Sequence, residues 1–138
     1  MHSCFFQTIL FLMEYTRTDT APAPLGPYEQ AVRHNHLVYV AMQLPVPADN
    51  SEPLSLDIEE QTALVLDNIK AVLEASGSAM NKTLRLTVYL TDISLGKRVN
   101  AIYTSYFPDH KPARSVIQVA ALPLGYSIAM DAIAATED

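Results

Sequence analysis

Arg114 makes the sharpest chemical demand in this sequence. It follows a loop bracketed by Pro108 and Pro112, and it opens a stretch, Ser115 to Ala120, in which small and apolar residues predominate. A permanently charged guanidinium in such surroundings requires an anionic partner. Its planar fork matches a carboxylate bidentately. The sequence leaves two kinds of carboxylate open. One is structural, from Asp109, Asp131 or an acid of a neighbouring molecule. The other belongs to a small ligand, which the arginine would hold in place for chemistry on the adjacent atoms.

Other reactive patterns are absent from the sequence. There is no G-x-S-x-G elbow, and Cys4, the single cysteine, lies in an apolar stretch near the start. Serine-hydrolase and cysteine-protease chemistry are therefore not expected, and no intramolecular disulfide can form. His34 and His36 stand two apart in an expected turn, while His2 and His110 are isolated. None of these has the spacing of a zinc set, so no metal and no cofactor are expected. The net charge is −6 and the longest basic run is Lys97-Arg98. A nucleic-acid partner needs lysines and arginines to displace phosphate counterions, so none is expected.

With 138 residues, the chain has the length of one domain. Only 17% of its residues are charged, against about a quarter in ordinary globular chains. A surface poor in charge is explained most simply by copies covering one another. Cys4 to Met13 is nearly all apolar. It is too short to span a bilayer, and it lacks the basic start and small-residue cleavage site of a secretory signal. Residues 1–13 are thus expected to be an extension, with a single domain over 14–138, no membrane partner, and a lone cysteine compatible with a reducing, cytoplasmic setting.

The remaining pattern supplies the elements that must position Arg114. Thr18 to Pro27 carries three prolines and a glycine, and reads as an extended loop. Gln30 to Val32 and Leu37 to Leu44 read as strands joined by a turn at Asn35. The second has apolar residues on both parities, which predicts burial on both faces. Asp57 to Ala75 is the clearest helix. Asp57 and Glu60 form a capping box, Ile58, Val65, Ile69 and Val72 make the stripe, and Gly77 ends it. Leu84, Leu86, Val88 and Leu90 alternate with polar residues as a strand with one buried face. Lys97 to Phe107 reads as a shorter helix. Ser115 to Ala120 and Ser127 to Ala134 complete a ββαβαββ order. Such an order predicts an α+β layer, with both helices on one face of a mixed sheet and subunits packing on the other.

Four stretches, in register, carry a resemblance to a known family. They are Ala21 to Ala31 (APAPLGPYEQA), Asp57 to Ile69 (DIEEQT followed by L-x-N-I), Lys82 to Asp92 (KTLRLTVYLTD) with Val99-Asn100 after it, and Lys111 to Ser115 (KPARS). Together they resemble the RidA family of reactive-intermediate deaminases, also labelled L-PSP, over Ala21 to Ala134. The resemblance implies a chorismate-mutase-like fold and a homotrimer with three clefts between subunits. It implies that Arg114 binds a substrate carboxylate, that Tyr28 lines the cleft, that Asn100 lies near it, and that Val116 contributes backbone groups. Read from their surroundings alone, Tyr28 is equally an interface aromatic and Asn100 a helix residue bonding a loop carbonyl.

The implied reaction is hydrolysis of an enamine or imine, such as the 2-imino acid derived from 2-aminoacrylate. An imine carbon is already electrophilic, so no cofactor is called for. Three departures from the family pattern bear on this. Ala129 stands where deaminating members carry a glutamate that steers the attacking water, and an alanine can neither hold a proton nor orient a hydrogen bond. Asp131, two residues on, shares its sheet face. Met42 replaces a glycine in the stretch Ala41 to Pro45, and Leu124 replaces a lysine after Leu122-Pro123. The alternative function is a noncatalytic trimer that binds small carboxylates.

Overall fold

A computed structural model describes residues 12–52 and 56–137 of the chain. Nearly all of residues 1–13, the stretch expected to be an extension, lies outside the described residues, Leu12 and Met13 excepted. The elements run β1 (Met13–Thr16), β2 (Ala31–His34), β3 (Leu37–Gln43), α1 (Ile58–Ala75), β4 (Thr83–Leu90), α2 (Gly96–Tyr106), β5 (Ala113–Gln118) and β6 (Ile128–Ala135). They form one six-stranded mixed sheet in the order β1-β2-β3-β6-β4-β5. Neighbours are antiparallel except β4 and β5, which are parallel and joined through α2.

The α+β layer with two helices on one face is as the pattern predicts, with one strand more. β1 carries no strand signal strong enough to read: it is four residues of mixed character, held by pairing with β2 from Met13 opposite His34 to Thr16 opposite Ala31. Its first residue, Met13, falls inside the stretch expected to be an extension.

Local signals set the other elements. Asn35 adopts φ 57° in the β2–β3 turn, a conformation asparagine tolerates better than most residues. At the start of α1, the Glu60 backbone N–H donates to Asp57 Oδ1 at 2.8 Å and the Asp57 N–H to Glu60 Oε1 at 3.4 Å. At its end, Gly77 takes φ 78°, and the N–H groups of Ser78 and Gly77 donate to the carbonyls of Leu73 and Glu74. This is a Schellman closure, and it satisfies carbonyls that the helix leaves open.

The core lies between the helices and one sheet face. Val65, Leu66, Ile69, Val72 and Leu73 of α1 and Val99 and Tyr103 of α2 pack on Val38, Val40, Leu86, Val88, Leu90, Met130 and Ala132. Two expectations need correction here. Leu84 does not join this face: it is exposed, because the β4–β6 register shifts between Thr83 and Arg85 and a bulge turns one residue out of the alternation. And β3 is not buried on both faces within one chain, since Tyr39 is 47% exposed. Tyr39 pairs across the sheet with Val32 and Ile133, and Val32 with Tyr15, so these four form an apolar row on the face without helices. Sequence parity reports which side chains are apolar, not what covers them.

Candidate active site

Arg114 enters the site from β5, an edge strand. Its partner across the parallel ladder is Leu86, a core residue, so Arg114 leaves the sheet on the helix side and at the margin, where it reaches α2. There its Nη1 donates to Asn100 Oδ1 at 2.7 Å. Its Cζ stands 4.6 Å from the centroid of the Tyr103 ring, within cation–π range. Tyr103 in turn leans on Phe107, with ring centroids 4.8 Å apart and planes tilted by 38°. Asn100, Tyr103 and Phe107 follow at i, i+3 and i+7, the spacing that places side chains along one helix face.

These residues line a pocket of about 330 Å³ together with Thr104, Lys111 and Pro112. Lys111 Nζ donates to the Phe107 carbonyl at 3.1 Å, which satisfies an open carbonyl at the end of α2. Among the described residues no carboxylate lies within ion-pair distance of Arg114, and neither Asp109 nor Asp131 pairs with it. The intrachain structural pairs that the sequence left open are therefore not made. The guanidinium is instead oriented by a neutral amide and an aromatic ring, which leaves its charge uncompensated and its remaining donors available to an anion. Burial pushes the Tyr103 phenol above the usual tyrosine range, and the Arg114 charge pulls it partly back.

The other expected site residues divide. Asn100 belongs to the Arg114 corner, and bonds the guanidinium rather than a loop carbonyl. Val116 points to the same sheet face as Arg114, half-buried and packed against the core. Tyr28 is elsewhere. It lines a broad groove of about 1060 Å³ with Arg17, Pro24 and Glu29, and its hydroxyl accepts from the Leu25 N–H at 3.2 Å. Within one chain, Tyr28 and Arg114 line different cavities. Met42 packs beside Tyr28 and Gln43, leaving a space of about 20 Å³, room for roughly one water.

Gln30 was not singled out by the sequence, yet it shapes the Tyr28 loop. It is buried, its Oε1 accepts from the Thr18 N–H at 2.7 Å, and its Nε2 donates to the carbonyls of Thr18 and Pro22 at 2.9 and 3.0 Å. A proline-rich segment has few donors of its own, so a side-chain amide supplies them. Tyr103 is not singled out by the sequence either, and its spacing of three from Asn100 on one helix is the signal that could have found it.

The acid side of the site differs from the arginine side. Ala129 is fully enclosed on the face without helices, paired with Tyr89. Asp131 shares that face, and the Tyr89 hydroxyl donates to its Oδ2 at 2.8 Å. That contact, with burial as the larger cause, raises the Tyr89 phenol above its ordinary value. Leu124 is exposed and takes φ 63° in the turn before β6.

The profile of the family described as Endoribonuclease L-PSP matches residues 18–136. The chain belongs to the RidA/L-PSP family. It is 42% identical over 120 residues to a RutC family protein of Pyrococcus abyssi, a match covering 87% of this chain and 94% of that protein. It is also 42% identical over 121 residues to the Reactive Intermediate Deaminase A, chloroplastic, of Arabidopsis thaliana, covering 88% of this chain and 65% of the relative. Among solved structures, E. coli TdcF with bound serine superposes with a TM-score of 0.85 at 32% identity, over 90% of this chain and 99% of that one. Among the described residues of this RidA/L-PSP member, no helix is long and apolar enough to cross a membrane, and no group of three or more His, Cys, Asp or Glu side chains gathers as a metal set.

Proposed function

We propose that this protein is an enamine/imine deaminase that hydrolyses 2-imino acids to 2-keto acids and ammonia. The observation that carries the reading is Arg114: a guanidinium held by Asn100 and Tyr103, facing a pocket, with no carboxylate of its own among the described residues. The substrate's carboxylate would take the free donors. Water then adds to the C=N carbon, and the carbinolamine loses ammonia to leave the ketone. The name of the Arabidopsis relative and the serine in the E. coli structure, a small molecule with a carboxylate, support the reading.

Tyr28 would reach an Arg114 pocket only across a subunit boundary, in a homotrimer packed on the apolar row of Tyr15, Val32, Tyr39 and Ile133. A ribonuclease reading is disfavoured by the net charge of −6. The reading of a noncatalytic carboxylate binder rests on a specific observation. Ala129 holds the place of the water-steering glutamate, and Asp131 is engaged by Tyr89 on the face opposite Arg114.

One assay separates the two. 2-Aminoacrylate is generated in situ, and keto-acid formation is followed with and without the protein. Acceleration that Arg114→Ala removes supports the deaminase. No acceleration, together with keto-acid binding that needs Arg114, supports the binder. Acceleration unchanged in Arg114→Ala rejects the carboxylate clamp.

A further inference from the structure

We propose that Tyr103 is the positioning residue of the carboxylate clamp: its ring stands against the Arg114 guanidinium carbon and so closes that side to an incoming carboxylate, which is left the donors that Asn100 does not take. The proposal rests on the reading of Arg114 as a carboxylate clamp.

Arg114 itself is exposed, on the margin of an edge strand. A long side chain in that place gives up much of its rotamer freedom when it is fixed, and one hydrogen bond to Asn100 leaves it free to rotate about that contact. The ring beneath it removes this freedom. Tyr103 is only 8% exposed and rests on the buried Phe107, so the platform is anchored in the core while the cation sits at the surface. The stack thus runs from core to cation as Phe107, Tyr103, Arg114.

It is the ring of Tyr103, not its hydroxyl, that meets Arg114. The hydroxyl is buried, and it has no hydrogen-bond partner among the described residues. A buried hydroxyl without a partner costs stability, so its removal is expected to do the fold no harm. Lys111, the other cation lining the pocket, is engaged with the Phe107 carbonyl and is not stacked. Of the five guanidinium N–H donors, Asn100 takes one. With the ring closing one side, a planar carboxylate is steered to meet the free N–H groups edge-on, the geometry of bidentate pairing.

The test is titration of pyruvate into the full-length protein and its variants, with circular dichroism confirming the fold. Tyr103→Phe keeps the ring and loses the costly hydroxyl, so its Kd is expected within about twofold of the unaltered protein and its melting temperature equal or higher. Tyr103→Leu keeps apolar bulk and loses the ring, and is expected to weaken binding by about 3- to 30-fold. If turnover is present, that loss should appear in KM rather than kcat. Unchanged binding in Tyr103→Leu, with binding lost in Arg114→Ala, overturns the platform and leaves the clamp standing. Unchanged binding in Arg114→Ala removes the clamp itself. A loss in Tyr103→Phe as large as in Tyr103→Leu assigns the effect to the hydroxyl and overturns the proposal. If Tyr103→Leu does not fold, NMR of the unaltered protein decides: the ring current should shift the Arg114 side-chain N–H protons, and random-coil positions for them reject the stack.

Discussion

The two faces of the sheet use polar residues in opposite ways. On the helix side, Arg114 is held by a neutral amide and a ring and keeps its charge. On the other side, Asp131 accepts a phenol hydrogen bond from Tyr89, on the face that carries the exposed Tyr15 and Tyr39 and the half-buried Val32 and Ile133. The cation and the acid sit on strands of the same sheet, β5 and β6, yet the sheet separates them. Among the described residues, one chain therefore presents a cationic corner with no carboxylate at ion-pair distance, and holds Asp131 on the other face of the sheet.

The most severe way to break the contrast is at Arg114. With a neighbouring copy closing over the corner, Arg114→Ala should weaken keto-acid binding by roughly thirty- to several-thousand-fold, the range for removing one partner of a desolvated charge pair; with the corner open to water as in one chain, the loss should be only about two- to fivefold. Arg114→Lys should recover little of it, because an ammonium lacks the fork. Asp131→Asn should leave binding within about twofold, since an intact sheet lies between it and the guanidinium. A binding loss in Asp131→Asn comparable to that in Arg114→Ala would show that the two faces meet in one site between subunits.

The apolar row sharpens the contrast at the level of assembly. Light scattering should give about three times 15.2 kDa, and Tyr39→Lys should shift the mass toward one chain, because it buries a charge at the packed face. A trimer that survives this change packs elsewhere. Tyr89→Phe probes the polar pair on the same face. It should cost about 0.5–1.5 kcal/mol in urea unfolding, the net worth of one hydrogen bond, and leave keto-acid binding unaltered.

The smallest effect is one of pH. Burial, then the hydrogen bond and charge of Asp67, push the Tyr106 phenol up to about 12, and Tyr89 is raised in the same direction. The folded state prefers these phenols protonated. Their stabilisation is complete below the ordinary tyrosine value of about 10 and is lost as pH rises through the folded values. Melting temperature should fall more steeply between pH 10 and 12 in the unaltered protein than in Tyr106→Phe. Equal slopes would show that Tyr106 ionises alike in both states.

Some of this was determined by the sequence alone because the physics is local. The capping box at Asp57 and Glu60, the turn at Asn35 and the stop at Gly77 each depend on residues within five positions, and all three form where the pattern places them. The KPARS stretch, in register with three others, identified the family and pointed to Arg114. Other features were decided by tertiary structure. β1 exists through pairing with β2, Leu84 is expelled by a register shift against β6, and Tyr39 faces outward because both helices take the opposite side. The Arg114 corner is of the same kind. Asn100, Tyr103 and Arg114 are fourteen residues or fewer apart, but it is the packing of α2 beside a parallel edge strand that lays a ring under the guanidinium and puts Asp131 out of its reach.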